Sequence, residues 1–244
     1  MTNLLEVLGN ARTLVVPYFG LLAIPQKPRY RSSIDTSILS LFKELSKKMN
    51  IVIVTSRSCE TIINQVGFAS AIVCCNGCEI VVEDRIVVPR DIAKMSHVIA
   101  HLQRKAQQLS RVIVEVRKIS LGDMVGLGLE WEDSIGKADA EIVESLVRIA
   151  QDNNLLVYEL QDGCCIDIFL PRCRRDEAMK FLSRCVERPI VYIAEGPYDQ
   201  NVSKYVDVVI GLRHEYNKSL SFETDLITTR VSIIDALRKL LIAR

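Results

Sequence analysis

The clearest pattern along the chain is a set of short, unbroken apolar runs, each stopping at a polar or turn-forming cluster. Thr13-Leu14-Val15-Val16 ends at Pro17-Tyr18-Phe19-Gly20, Ile51-Val52-Ile53-Val54 at Thr55-Ser56-Arg57-Ser58, and Ala71-Ile72-Val73-Cys74 runs up to Asn76-Gly77. Four apolar residues without alternation are what a strand covered on both faces requires. Between the runs the period changes to that of a helix. Ile38, Leu41, Phe42 and Leu45 recur at helical spacing behind the capping residues Ser33 and Asp35, and a second helix is expected from about Cys59 to Val66. This β-α-β-α-β order predicts a parallel, doubly wound sheet with right-handed crossovers, whose ligand crevice lies at the carboxyl ends of the strands.

Beyond Asn76-Gly77 the pattern is different. Glu79 to Val88 alternates like a hairpin, Asp91 to Leu109 and Ala138 to Asn153 are helical, and Arg111 to Val116 and Val125 to Trp131 are strand-like. Leu155 to Leu160 and Cys164 to Leu170 form a hairpin around Asp162-Gly163. Arg174 to Val186 then returns to helix, followed by buried strands at Ile190 to Ile193 and Val206 to Ile210. The last segment, Val231 to Ile242, is an amphipathic helix with Ile233, Ile234, Leu237, Leu240 and Leu241 on one face. The expected fold class is therefore α/β, a doubly wound core of residues 1–88 and 172–244 interrupted by an α+β cap of residues 89–171.

With 244 residues, 49% of them hydrophobic and 25% charged, the chain is a folded protein rather than a disordered one. The 31 basic and 30 acidic residues give no reason to expect nucleic acid or an anionic membrane as a partner. No stretch reaches the roughly 18 apolar residues of a spanning helix, and no secretory pattern opens the chain, so a cytoplasmic location is expected. The eight cysteines read as free thiols. Cys75-Asn-Gly-Cys78 has the spacing of a metal knuckle that Cys164-Cys165 would complete, but the end of a buried apolar strand with no histidine nearby favours a structural role. His97 and His101 read as a solvated helix face. Arg172, Arg174, Arg175 and Arg184 form a basic cluster of which only Arg175 carries chemical interest.

The order of these features resembles the haloacid dehalogenase superfamily and, within it, the trehalose-6-phosphate phosphatases, over nearly the whole length. Their first strand ends Asp-Tyr-Asp-Gly-Thr-Leu, and here the matching run is Pro17-Tyr18-Phe19-Gly20-Leu21-Leu22. The Ser/Thr-Gly-Arg motif falls on Thr55-Ser56-Arg57, and the Asn-Gly turn on Asn76-Gly77. The Lys-Gly-Glu-Ala motif falls on Arg175-Asp176-Glu177-Ala178, and Gly-Asp-Asp-x-Thr-Asp on Ala194-Glu195-Gly196-Pro197-Tyr198-Asp199. In the cap, Glu115 and Lys118 match an acidic and a basic residue that face the sugar, and Asp167 matches a glutamate there.

The resemblance implies a loss of chemistry. Pro17 stands where the nucleophilic aspartate would attack phosphorus, and Phe19 where the general acid would protonate the leaving group; neither has the atoms. Of the magnesium ligands only Glu195 and Asp199 remain, so no cofactor is expected unless the chain is a divergent hydrolase that keeps magnesium. What is retained is a cradle in which Thr55, Ser56, Arg57 and Arg175 would hold a sugar phosphate or inorganic phosphate. The competing expectation is that Arg175 pairs with Glu195 and Phe19 fills the space, leaving a closed pseudo-site. The leading expectation is a pseudo-phosphatase that binds a sugar phosphate or a protein partner, such as an enzyme of the trehalose pathway. The alternative is a phosphomonoester hydrolase in which Glu195, Asp199 or a cysteine of Cys74 to Cys78 has taken over. A third class is a purely structural subunit.

Overall fold

The computed structural model describes residues 3–242 apart from 25, 27, 28, 133, 161, 162, 215, 216, 218, 219 and 221. In chain order the elements of the first part are α1 (Leu4–Asn10), β1 (Thr13–Pro17), α2 (Thr36–Leu45), β2 (Asn50–Val54), β3 (Ala71–Cys74), β4 (Glu79–Val82) and β5 (Arg85–Val87). The middle part contains α3 (Ile92–Ala106), β6 (Ile113–Lys118), β7 (Met124–Glu130), α4 (Lys137–Asp152), β8 (Leu156–Leu160) and β9 (Cys165–Phe169). The chain closes with α5 (Arg175–Leu182), β10 (Ile190–Ala194), β11 (Val208–Arg213), β12 (Leu226–Thr229) and α6 (Arg230–Ile242).

Eight strands form one sheet in the order β12-β11-β10-β1-β2-β3-β4-β5. The pairings from β12 to β3 are parallel and the last two antiparallel. All five residues of β1 are buried, with β2 and β10 as neighbours, so its carboxyl end opens at the centre of the parallel set. The unbroken apolar runs follow from this coverage on both faces. On α6, Ile233, Ile234, Leu237 and Leu240 are buried, as its amphipathic spacing requires, and the helix packs against α1 and α2.

The cap is a second, antiparallel sheet, β6-β7-β9-β8. Leu127, Leu129 and Ile168 are fully buried on its helix-covered face. The opposite face carries the residues in alternate register: Glu115 beside Gly128, Gly128 beside Asp167, and Glu130 beside Cys165. That face meets the tip of β1. The strands of the expected hairpin are β8 and β9; Asp162, at its turn, lies outside the described residues.

Three sequence expectations are corrected. The helix expected over Cys59 to Val66 is a single 3-10 turn, Cys59–Thr61. Three β-branched residues follow one another there, and the Thr61 hydroxyl donates to the Ser58 carbonyl, a local bond that competes with the helix. β12 was not anticipated, because Leu226–Thr229 is a short edge strand with every second residue exposed. Four of the cysteines are not free thiols: Cys59 is bonded to Cys74 within the large sheet's layer, and Cys78 to Cys173 across 95 residues of chain. Cys75, Cys164, Cys165 and Cys185 are not joined in disulfides.

Candidate functional site: two buried charge clusters at the tip of the first strand

Phe19 follows the last residue of β1 by two positions and is only 7% exposed. Its ring stands edge-on to Tyr18, with centroids 5.3 Å apart. The Arg57 guanidinium lies 4.8 Å from the ring centroid and that of Arg29 5.6 Å, so two cations stack on the residue at the second motif position. Gly20 then turns with φ +79; a Cβ there would come within 2.7 Å of Glu195 Oε2, so only glycine brings this turn against the acid on the neighbouring strand. Phe19, Tyr18, Arg29 and Arg57 thus pack together beside the end of β1.

One cluster lies wholly within the core. Arg175, the first residue of α5, is 1% exposed and donates from Nη1 to Asp199 Oδ1 at 2.8 Å; its Nη2 is 3.9 Å from Glu195 Oε1. Asp199 also accepts from the Tyr192 hydroxyl at 2.5 Å and from the backbone N–H groups of Glu195 and Gly196 at 2.8 and 3.2 Å. Burial opposes the Arg175 charge, yet Asp199, with help from Tyr192 and Glu195, holds its pKa well above the ordinary arginine value. Glu195 is different. Burial pushes its carboxyl up to about 8, only partly offset by Arg175, so it carries a proton at neutral pH. His214 Nε2 stands 4.0 Å from its other oxygen.

This donor set does not fit the magnesium ion that the fold family implies. Both Asp199 oxygens already accept two hydrogen bonds each. The remaining acid is protonated at neutral pH, and a fixed guanidinium supplies the positive charge beside both. Among the described residues no group of three or more His, Cys, Asp or Glu side chains is placed to hold a metal.

The second cluster joins core to cap. Arg29, from the loop after β1, donates from Nη2 and Nη1 to the two Asp167 oxygens at 2.8 and 3.0 Å and from Nε to Glu130 at 3.0 Å. A two-pronged arginine-carboxylate pair of this kind fixes orientation as well as distance. The Tyr198 hydroxyl lies 3.3 Å from Arg29 Nη1 and bonds Asp167 Oδ2. Arg117 Nη2 stands 3.8 Å from Asp167, and Arg117 also pairs with Glu115. Burial pushes the Asp167 carboxyl up, but Arg29 and Arg117, with hydrogen bonds from Arg29 and Tyr198, bring it net below its ordinary value. Gly128 makes room for this cluster: a Cβ there would lie 2.7 Å from Arg117 Nη2 and 2.9 Å from Asp167 Oδ1. The two clusters touch through Tyr198, whose ring sits 4.7 Å below the Arg175 guanidinium.

No family model matches the sequence, and no curated protein sequence matches it. Solved structures do. A trehalose-6-phosphate phosphatase related protein superposes with a TM-score of 0.73 at 15% identity, covering 95% of this chain and 97% of its own. The C-terminal domain of the C. albicans trehalose-6-phosphate phosphatase gives 0.75 at 12% identity, over 98% and 95%. A haloacid dehalogenase-like hydrolase from Bacteroides thetaiotaomicron gives 0.63 at 11%, over 94% and 99%. The fold is that of the haloacid dehalogenase superfamily.

Of the residues the resemblance singles out, Pro17 and Phe19 lie at the end of β1, Glu195 lies against Gly20, and Arg175 and Asp199 lie beside Glu195. Of the expected cradle, Thr55 is 1% exposed and its hydroxyl accepts from the Arg57 N–H at 3.1 Å. Among the described residues the buried Ser56 hydroxyl meets no hydrogen-bond partner. Arg57 donates to the Arg29 carbonyl at 3.1 Å and is the half-exposed cation of the group. Of the cap residues, Asp167 is fully buried and bonded to Arg29, Glu115 is drawn to Arg117, and the Lys118 side chain is exposed. A register shift between Arg117 and Lys118 separates those two neighbours. Sequence reasoning missed Arg29, Arg117, Glu130 and Tyr198. The alternating Gly126 and Gly128 on β7 were the one available signal, since glycine inside a strand marks a close approach.

The remaining candidates do not join the site. His97 and His101 are exposed on α3, as expected, and so are Arg172 and Arg184. Arg174 pairs with Asp176. Cys74 and Cys78 are taken up in disulfides, and burial pushes the Cys75 thiol up to about 12, which leaves it neutral and unreactive.

Proposed function

We propose that this chain is a catalytically silent protein on a phosphatase scaffold, closed over its former cleft, and that it works by engaging a protein partner rather than by turning over a phosphate ester. The observation that carries this reading is Arg29. Its guanidinium bridges Glu130 and Asp167 of the cap while stacking near Phe19, so the chain's own groups join core to cap beside the end of β1. A neutral phenylalanine and a proline at the two acid positions leave no nucleophile and no proton donor there. In this reading the partner is an enzyme of trehalose metabolism, and no cofactor is required. Among the described residues no helix is long and apolar enough to cross a membrane. The cytoplasmic location proposed from sequence is opposed by the two disulfides, which persist mainly in oxidising compartments.

A second reading has its own observation. Glu195 is protonated at neutral pH, one-tenth exposed, and beside an arginine, which is the state a general acid needs. It supports a divergent phosphomonoester hydrolase. Purified protein assayed with trehalose-6-phosphate, glucose-6-phosphate and inorganic phosphate, with and without magnesium, separates these readings. We expect no turnover and no calorimetric binding. Saturable hydrolysis abolished by Glu195→Gln would overturn the silent reading, and metal-independent binding abolished by Arg57→Ala would replace the protein partner with a phosphate-bearing ligand.

A further inference from the structure

Cys78 and Cys173 stand at a telling place. Cys78 sits in the turn between β3 and β4, inside the large sheet's layer, and Cys173 in the linker by which the chain returns from β9 to α5. The bond between them therefore ties the cap's return linker to the core. Two contacts show how closely the segments approach. Asn76 Nδ2 donates to the Cys173 carbonyl at 2.9 Å, and a Cβ on Gly77, whose φ is +99, would overlap the Arg174 carbonyl. The other disulfide, Cys59–Cys74, closes only 15 residues and lies within the core layer, so it says nothing to the cap.

Both sulfurs of the Cys78–Cys173 pair are fully buried. A cavity of about 190 Å³ opens next to them, lined by Gly77 and Arg172, the immediate neighbours of the two cysteines, and by Val88, Pro89 and Phe181. Val88 and Pro89 belong to the outgoing linker, and Arg172 to the returning one. The cavity thus touches both linkers on which the cap would move and reaches the residue next to each cysteine, while the sulfurs themselves stay behind its wall.

We propose that Cys78–Cys173 is a thiol-controlled latch on the cap. Oxidised, it holds the return linker on the core and keeps the Arg29 cluster assembled; reduced, it leaves the linker held by the Asn76 hydrogen bond and frees the cap to separate. The exchange needs a low-molecular-weight thiol. One thiolate attacks a sulfur of the pair, breaking the S–S bond to give a mixed disulfide and a protein thiolate that takes up a proton. A second thiol attacks the mixed disulfide and releases the small-molecule disulfide and the second protein thiol, so two electrons and two protons pass from two thiols to the protein. A small-molecule disulfide reverses both steps. In a reducing compartment the latch would stand open, and in an oxidising one closed.

The test is hydrogen exchange of the full chain with and without dithiothreitol, with both disulfides mapped by mass spectrometry under each condition. Reduction should speed exchange across residues 113–169 about tenfold relative to β10 and β11, the change that weakening the closed state by about 1.4 kcal/mol produces. The Cys78→Ser, Cys173→Ser double variant should show the fast cap exchange without reductant. Cys59→Ala, Cys74→Ala should keep the response to reductant. Failure to find the Cys78–Cys173 bond in oxidised protein, or cap exchange that is unchanged when mapping shows it fully reduced, overturns the proposal even if a variant does not fold.

Discussion

The two charge clusters at the end of β1 share an aromatic residue and differ in what they connect. The Arg175, Asp199, Tyr192 and Glu195 group is assembled from α5, β10 and the turn after β10, so all its members move with the core. The Arg29, Glu130 and Asp167 group draws its cation from the core and its acids from the cap, so it can exist only while the two are closed. The buried charge is balanced differently on the two sides. In the core, the Arg175 guanidinium supplies the positive charge beside Asp199 and Glu195. At the cap, an arginine occupies the acid that resembles a substrate-facing residue.

The comparison makes its largest prediction at Asp167. Asp167→Ala leaves Arg29 and Arg117 buried beside too little negative charge, and should cost about 3–5 kcal/mol in urea unfolding, with cap exchange rising first. Arg175→Met removes one buried partner but gives an apolar side chain of similar length in return, so we expect about 2–3 kcal/mol, spread over the whole core and without selective loosening of the cap. If both variants loosened the cap equally, the division between the clusters would be wrong.

The clusters should also respond to pH in opposite senses. Glu195 titrates at about 8 in the folded chain, above the ordinary value of 4.5, so the folded state binds a proton that the unfolded state has lost. Its contribution is complete below about pH 4.5 and is lost as pH rises through 8, at up to about 1.4 kcal/mol per pH unit. Glu195→Gln should flatten that slope in unfolding experiments between pH 5 and 8. Asp167 lies below its ordinary 3.8, so its contribution is present above that value and is lost as acid protonates the folded carboxyl. The smallest effect is expected at Glu115, whose side chain is 28% exposed; Glu115→Gln should change stability by less than about 1 kcal/mol.

How much of this was legible in the sequence follows the same division. The order of parallel strands could be read from apolar runs because burial on both faces forbids polar interruptions, whereas β12, half exposed at an edge, left no such mark. The core cluster falls on motif positions that a resemblance can align. Arg29 sits in a loop with no periodicity, and its acids lie 101 and 138 residues away, so only the folded chain brings them together. The cap cation that meets Asp167 is Arg117, at a register shift one place before Lys118, the residue the resemblance selects. The cysteine pairs were illegible for a related reason, since spacing does not determine connectivity.

The closed cleft is tested most directly by a double-mutant cycle on Arg29 and Asp167, combining Arg29→Ala and Asp167→Ala singly and together in urea unfolding. A coupling of about 2–3 kcal/mol is expected, because each single change abandons the other charge in the interior. Changes that add within about 0.5 kcal/mol would mean that the two side chains do not meet and that core and cap stand apart.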